Sequence, residues 1–250
     1  MRLDSNCILI TGGGSGIGRG LAEAFHRLGN GVIIGGRRRE LLEEACSANP
    51  GMSWTFLDLL DGARIDAVAS HTISRFPELN CLINNAGIQR TLDFASDSLS
   101  SDLIEQEIGT NLTGLIKTTA AFLPHLRKQK GAVVINVSSG LGLIPLSKVP
   151  VYSATKAAVH SFTMSLRDQL RETCVEVIEL IPPSVATELR VSRESSSASG
   201  PRPMPLEQYI AEIIRRLEAG ETEIAVGTAQ SWLEATVSSE ARTIFSRINH

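Results

Sequence analysis

Tyr152 and Lys156 stand four residues apart in a stretch with helical periodicity, so their side chains leave one face about a turn apart. A phenol with its ordinary pKa of about 10 is a poor acid–base catalyst at neutral pH. An ammonium beside it favours the phenolate and lets the hydroxyl exchange a proton near working pH. Ser139 lies thirteen residues before the tyrosine, just past the β-type run AVVINV. A hydroxyl at the C-terminal end of a strand can donate to a carbonyl oxygen on which charge develops. By itself a Tyr-x-x-x-Lys is an ordinary exposed pair, so the reading depends on what accompanies it.

A glycine-rich turn accompanies it. The run CILIT ends in Thr11-Gly12-Gly13-Gly14-Ser15-Gly16-Ile17-Gly18 and leads directly into the helical stretch GRGLAEAFHRLG. Free N–H groups and a partial positive charge at a helix start, with no Cβ in the way, suit a pyrophosphate. The plain alternative is a glycine turn with no ligand. Gly13 and Gly18 have the spacing of a nucleotide-hydrolysing loop, but Arg19 and Gly20 stand where lysine and a hydroxyl are needed, so that reading fails. The glycines fall at Gly12, Gly16 and Gly18, a G-x-x-x-G-x-G spacing rather than G-x-G-x-x-G.

Short β-branched runs alternate with longer amphipathic stretches, the rhythm of βαβ units and a parallel sheet. Strands are predicted at 7–11, 32–35, 54–57, 81–84, 132–137, 175–181 and 223–226, and helices at 17–28, 39–48, 63–76, 103–127, 153–172 and 206–218. A single domain over 1–250 follows, with 188–206, rich in Ser, Gly and Pro, as a flexible substrate loop within it.

The set TGGGSGIG at 11–18, NNAG at 84–87, Asn111, SSG at 138–140 and YSATK at 152–156 resembles the short-chain dehydrogenase/reductase family of the classical type, over residues 5 to about 190. LINNAGIQR and IPPSVAT are similar to the subgroup associated with bacterial D-alanine transfer to cell-wall polymers. The resemblance implies an α/β Rossmann fold, a doubly wound parallel sheet of about seven strands. It implies an NAD(P)-dependent oxidoreductase that moves a hydride between nicotinamide and a carbonyl or alcohol, with Tyr152 as general acid/base. Ser139, Lys156 and Asn111 complete the catalytic set, Asn111 holding a water between Lys156 and solvent. Cofactor contacts are implied for Gly12, Gly14, Ser15, Gly16, Ile17, Gly18, Arg37, Asp58, Leu59, Asn85, Ala86, Gly87, Tyr152, Lys156, Pro182, Val185 and Thr187. Asp58 is expected at the adenine amino group, and Asp61 as a helix N-cap. A homodimer or homotetramer built on 103–127 and 153–172 is implied as well.

At the end of the second strand an acidic residue selects NAD, whereas arginine accommodates the 2′-phosphate of NADP. Gly36 occupies the acidic position and Arg37 follows, so NADP is expected, with NAD the alternative. Ser15 stands where many NADP-dependent members carry a basic residue, and Arg38 and Arg39 read as a solvated helix start. Pro183 replaces the family's usual glycine, which removes an N–H and fixes φ. Gln89, Arg90, Leu141, Leu143, Ile144, Leu146 and Val149 are expected as pocket walls.

Composition closes off other classes. The chain has 250 residues, 24 basic and 27 acidic for a net charge of −3, and eleven aromatics, which gives no field or stacking platform for nucleic acid. Cys7, Cys46, Cys81 and Cys174 lack metal or disulfide spacing and read as buried thiols in a reducing compartment. No signal segment or membrane span is evident, so a cytoplasmic location is expected. The histidines form no zinc motif, and no metal is expected. The competing class is a non-catalytic NADP-binding sensor or scaffold, against which the intact catalytic set argues.

Overall fold

Strand β1 (Cys7–Thr11) is buried at every position, as an apolar run covered on both faces must be. Its alternate side chains feed two separate cores. Ile8 and Ile10 pack with Leu21 and Phe25, while Cys7 and Leu9 pack with Phe122 and Leu166, the two-residue period of a strand. The computed structural model describes residues 1–96, 99–191 and 202–238, together with 244, 245 and 247.

The order is β1, α1 (Gly16–Arg27), β2 (Gly31–Gly36), α2 (Arg39–Ala48), β3 (Ser53–Phe56), α3 (Gly62–Arg75), β4 (Cys81–Asn84), α4 (Ser101–Ile108), α5 (Gly114–Leu126), β5 (Ala132–Val137), α6 (Pro150–Leu170), β6 (Val175–Ile181), α7 (Glu188–Val191), α8 (Leu206–Glu218), β7 (Glu223–Ala225) and α9 (Thr228–Thr236). All seven strands form one parallel sheet in the order β3-β2-β1-β4-β5-β6-β7. Helices α1, α2 and α8 cover one face and α3, α5 and α6 the other, the single-domain, doubly wound arrangement expected from the sequence.

A buried polar chain fixes α5 and α6 on the sheet. Asn84 and Asn136 are paired in register on β4 and β5. Asn84 Nδ2 donates to Thr119 Oγ1 and to Asn136 Oδ1, each at 2.9 Å, and Asn136 Nδ2 donates to Thr163 Oγ1 at 2.9 Å. Such directional bonds locate the two helices more narrowly than apolar contact does.

Several boundaries differ from expectation. The helix predicted at 103–127 begins at Ser101 and contains a π turn, Gly109–Thr113, between α4 and α5. The π turn contains Asn111, and such insertions often mark functional positions. Helix α6 begins at Pro150, before the expected 153, because proline suits a first helical turn. Strand β3 is a half-buried edge strand one residue earlier than predicted. Helix α9 was not predicted. Cys7 and Cys81 are buried, but Cys46 is half-buried and Cys174 exposed, its thiol donating to the Arg127 carbonyl; all four are free. Of the substrate-loop expectation, 192–201 lies outside the described residues. No helix among the described residues is long and apolar enough to cross a membrane.

Candidate active site

A cleft of about 530 Å³ opens over the C-terminal ends of β1, β2, β4 and β5. The strand order reverses between β1 and β4, and open α/β sheets offer their ligand crevice at that point. Thr11 and Asn85 join the two strands there. Thr11 Oγ1 accepts from the Asn85 and Ala86 amides at 3.0 and 3.1 Å, and Asn85 Nδ2 donates to the Thr11 carbonyl at 3.0 Å.

The turn from β1 into α1 forms one wall. Gly12 and Gly16 have φ of 68° and 54°, which only glycine adopts without strain. A Cβ on Gly12 would stand 2.8 Å from Ala86 Cα, and one on Gly18 would stand 2.4 Å from the Gly12 carbonyl oxygen. Gly18 is therefore a packing glycine beneath the turn and does not line the cleft. Ser15 is the N-cap of α1, its side chain makes no capping bond, and the first turn carries no acidic residue. The amides there suit an anion, and the residues present fit a dinucleotide.

Gly36, Arg37 and Arg38 form the next wall with Asp58 and Leu59. Arg37 is exposed, and its side chain makes no hydrogen bond or ion pair with a described residue. Arg38 corrects the reading of a solvated helix start. Its guanidinium donates to Ser15 Oγ and pairs with Glu188 at 3.0 Å, tying the glycine turn to α7 across the cleft. Arg39 lies 5.2 Å over the Phe56 ring. Asp58 accepts from the Leu60 amide at 3.1 Å, and Asp61 caps α3 through the Arg64 amide at 3.0 Å.

Tyr152 and Lys156 line the opposite wall from the first turns of α6. Lys156 Nζ lies 5.7 Å from the centre of the Tyr152 ring and donates to the Val137 carbonyl at 2.8 Å. Burial pushes the ammonium down to about 8, opposed by the charge of Glu179. Asn111 is fully buried; its Oδ1 accepts from the Ile88 amide at 2.8 Å, and its Nδ2 donates to the Ile88 carbonyl at 2.8 Å and to Thr155 Oγ1 at 3.2 Å. Asn111 Oδ1 and Lys156 Nζ lie 3.4 and 3.7 Å from the point a Cβ on Gly87 would occupy, so glycine keeps the space between them open. Ser138 lines the cleft and Ser139, expected as the catalytic hydroxyl, does not; Ser139 is buried, and its Oγ accepts from the Leu141 amide at 3.1 Å. Among the described residues no acceptor takes its proton.

Of the expected cofactor residues, Gly12, Gly14, Ser15, Gly16, Ile17, Arg37, Asp58, Leu59, Asn85, Ala86, Gly87, Tyr152, Lys156, Pro182 and Thr187 all line the one cleft. Val185 does not; it is buried in the core and bridges to Met204, whose carbonyl takes the Ala186 amide at 2.9 Å. Of the expected pocket walls, Gln89 and Arg90 line the cleft. Arg90 is already engaged with Gln106 at 2.8 Å, Val149 is buried, and Gly140 packs against Trp232. The Arg38–Glu188 tie spans 150 residues and has no local signal. Thr11 stood in the quoted motif, but its role as acceptor for two amides of the next strand was not legible there.

The family model for short chain dehydrogenases matches residues 6–198. An uncharacterized oxidoreductase, DltE, of Bacillus subtilis (strain 168) is 38% identical over 249 residues, spanning 100% of this chain and 98% of the relative, in line with the narrower likeness read from the sequence. A short chain dehydrogenase from Burkholderia cenocepacia J2315 in complex with NADP superposes with a TM-score of 0.81 at 26% identity, covering 99% of this chain and 98% of that one. A short chain dehydrogenase/reductase from Burkholderia phymatum in complex with NAD superposes with a TM-score of 0.80 at 23% identity over 99% and 96% of the chains.

Proposed function

The chain belongs to the short-chain dehydrogenase family, and from that premise we propose which residues carry its oxidoreductase chemistry and which nucleotide they prefer. It transfers a hydride between a nicotinamide cofactor and a carbonyl or alcohol substrate. A nicotinamide held in the cleft would supply or accept the hydride. Tyr152 delivers the proton to the developing alkoxide, or removes it in the reverse direction. The Ser139 hydroxyl donates to the same oxygen, and the Lys156 ammonium stabilises the phenolate. Asn111 holds residue 88 in place, and Gly87 leaves the space between Asn111 and Lys156 open for a water that resupplies the proton. The observation that carries this reading is the buried Lys156 Nζ, held on the Val137 carbonyl beneath the Tyr152 ring.

NADP is the preferred cofactor. Its support is the exposed Arg37 guanidinium at the cleft edge, beside Gly36 in place of a carboxylate. The substrate is a small carbonyl or alcohol compound, the working assembly a homodimer or homotetramer, and the location cytoplasmic.

Titration with NADPH and NADH by nicotinamide fluorescence, followed by a carbonyl panel read by nicotinamide oxidation, tests the reading. Tyr152→Phe is expected to retain cofactor binding and lose about 10²- to 10⁴-fold in turnover. A fully active Phe variant would refute the assignment.

A further inference from the structure

Away from the cleft, where α6 crosses β6 and β7, three side chains able to hold a metal converge. Glu179 and Glu223 are partners in register on these neighbouring parallel strands, so their side chains leave the same face of the sheet side by side. His160 meets them from α6. Glu179 is fully buried, and both its oxygens face His160 Nδ1, at 2.9 and 3.1 Å. One ligand atom from each of the three residues lies within 4.8 Å of the other two. None of the three lines the cofactor cleft.

We propose that His160, Glu179 and Glu223 form a site for one divalent transition-metal ion of the Zn²⁺ class, which clamps α6 onto β6 and β7. The charge balance calls for a cation. Like charges directly opposite on adjacent strands repel, and the carboxylate of Glu179 has no water to screen it. The one N–H that His160 Nδ1 can carry serves one Glu179 oxygen at a time. Arg167, the cation beside the imidazole, has two of its nitrogens on the Val177 and Thr222 carbonyls, each at 3.0 Å. The spacing suits an ion as well. Two donors each about 2.1 Å from a metal and at right angles to one another stand about 3.0 Å apart, which the His160–Glu179 separations match. Glu223, half-buried on the edge strand, needs an inward shift of about 1 Å to complete the set. An imidazole nitrogen with carboxylate oxygens suits zinc and its neighbours, whereas Mg²⁺ and Ca²⁺ are held by oxygen alone. Three protein ligands leave a position for water, and the 15% exposure of the His160 side chain gives a path to it. The ligands come from three separate elements, so no zinc motif displays them in the sequence.

The test uses the full, untagged chain, stripped with a chelator and returned to chelator-free buffer. Titration with ZnCl₂ by calorimetry is expected to show one equivalent bound with a Kd of about 1 µM or tighter. At a free Zn²⁺ of about a hundred times the Kd, Tm should rise by about 5–10 °C, and MgCl₂ at the same concentration should leave it unchanged. His160→Gln, Glu179→Gln and Glu223→Gln should each weaken Zn²⁺ binding at least about ten-fold. Cys174→Ser, which removes the exposed thiol, should not. If the buried Glu179→Gln does not fold, Glu223→Gln at the sheet edge and His160→Gln carry the test. A chain that binds no Zn²⁺ overturns the proposal and leaves His160 and Glu179 as a hydrogen-bonded pair. So does binding that persists unchanged in both Glu223→Gln and His160→Gln, or that is lost in Cys174→Ser.

Discussion

Gly18→Ala probes how closely the phosphate turn is built. The added methyl would stand 2.4 Å from both the Gly12 carbonyl oxygen and Asn85 Nδ2, so the turn or the asparagine must move by most of an ångström. Moving Asn85 breaks its bonds to the Thr11 and Gly12 carbonyls, at 3.0 and 3.3 Å. Each is worth about 1 kcal/mol, and overpacking a fitted site adds about 2 kcal/mol. Alanine's better helix propensity returns about 1 kcal/mol. The variant should therefore lose about 3 kcal/mol, or about 10 °C in Tm for a chain of this size. Because the displaced atoms wall the cleft, NADPH affinity should fall at least about ten-fold, given how steeply such sites respond to misplacement. Gly29→Ala is the control: φ is 84° and no heavy atom lies within 4 Å of the added methyl. It should cost about 1 kcal/mol for the left-handed backbone and leave cofactor binding unchanged. Thermal unfolding and fluorescence titration measure both quantities. A Gly18→Ala protein with wild-type Tm and affinity would refute the reasoning.

Arg37→Ala should weaken NADPH binding about ten- to a hundred-fold, the loss of one charge-assisted contact, and leave NADH binding unchanged by the same titration. Arg38→Ala removes an exposed tie between Ser15 and Glu188 and should change Tm little, while stopped-flow displacement should show faster cofactor release. Asn136→Leu removes one buried hydrogen bond each from Asn84 and Thr163, which keep Thr119 and the Val159 carbonyl, and should cost about 2 kcal/mol in urea unfolding. The His160–Glu179 pair raises the pKa of His160 above its unfolded value of 6.5. Its stabilisation is fully present below pH 6.5 and is lost as pH rises through the folded value, so a melting series should decline there in wild type and not in His160→Gln. Lys156, depressed to about 8 from 10.5, acts in the opposite sense, and stability should rise between those two values.

The strands were legible because a buried parallel strand has no freedom in composition: every position in CILIT and AVVINV must be apolar, β-branched or internally satisfied. The glycine turn was legible because two of its positions require φ values that side chains resist. The spacing of Tyr152 and Lys156 is set by one helical turn, and a sequence displays that directly. These features are local, and the sequence alone determined them, along with the order of the elements and the chemistry they carry.

What depends on distant segments meeting came only from the tertiary structure. Arg38 read as a solvated residue until α7 brought Glu188 to it. His160, Glu179 and Glu223 come from three separate elements and share one site only because β6 and β7 are neighbours beneath α6. Val185 matched a motif, yet its backbone pairs with Met204. The π turn at Asn111 follows from the bonds that hold residue 88 against it. Local conformational limits are written into residue type and spacing. Hydrogen bonds and charges across the fold are fixed by packing, which neighbouring letters do not encode.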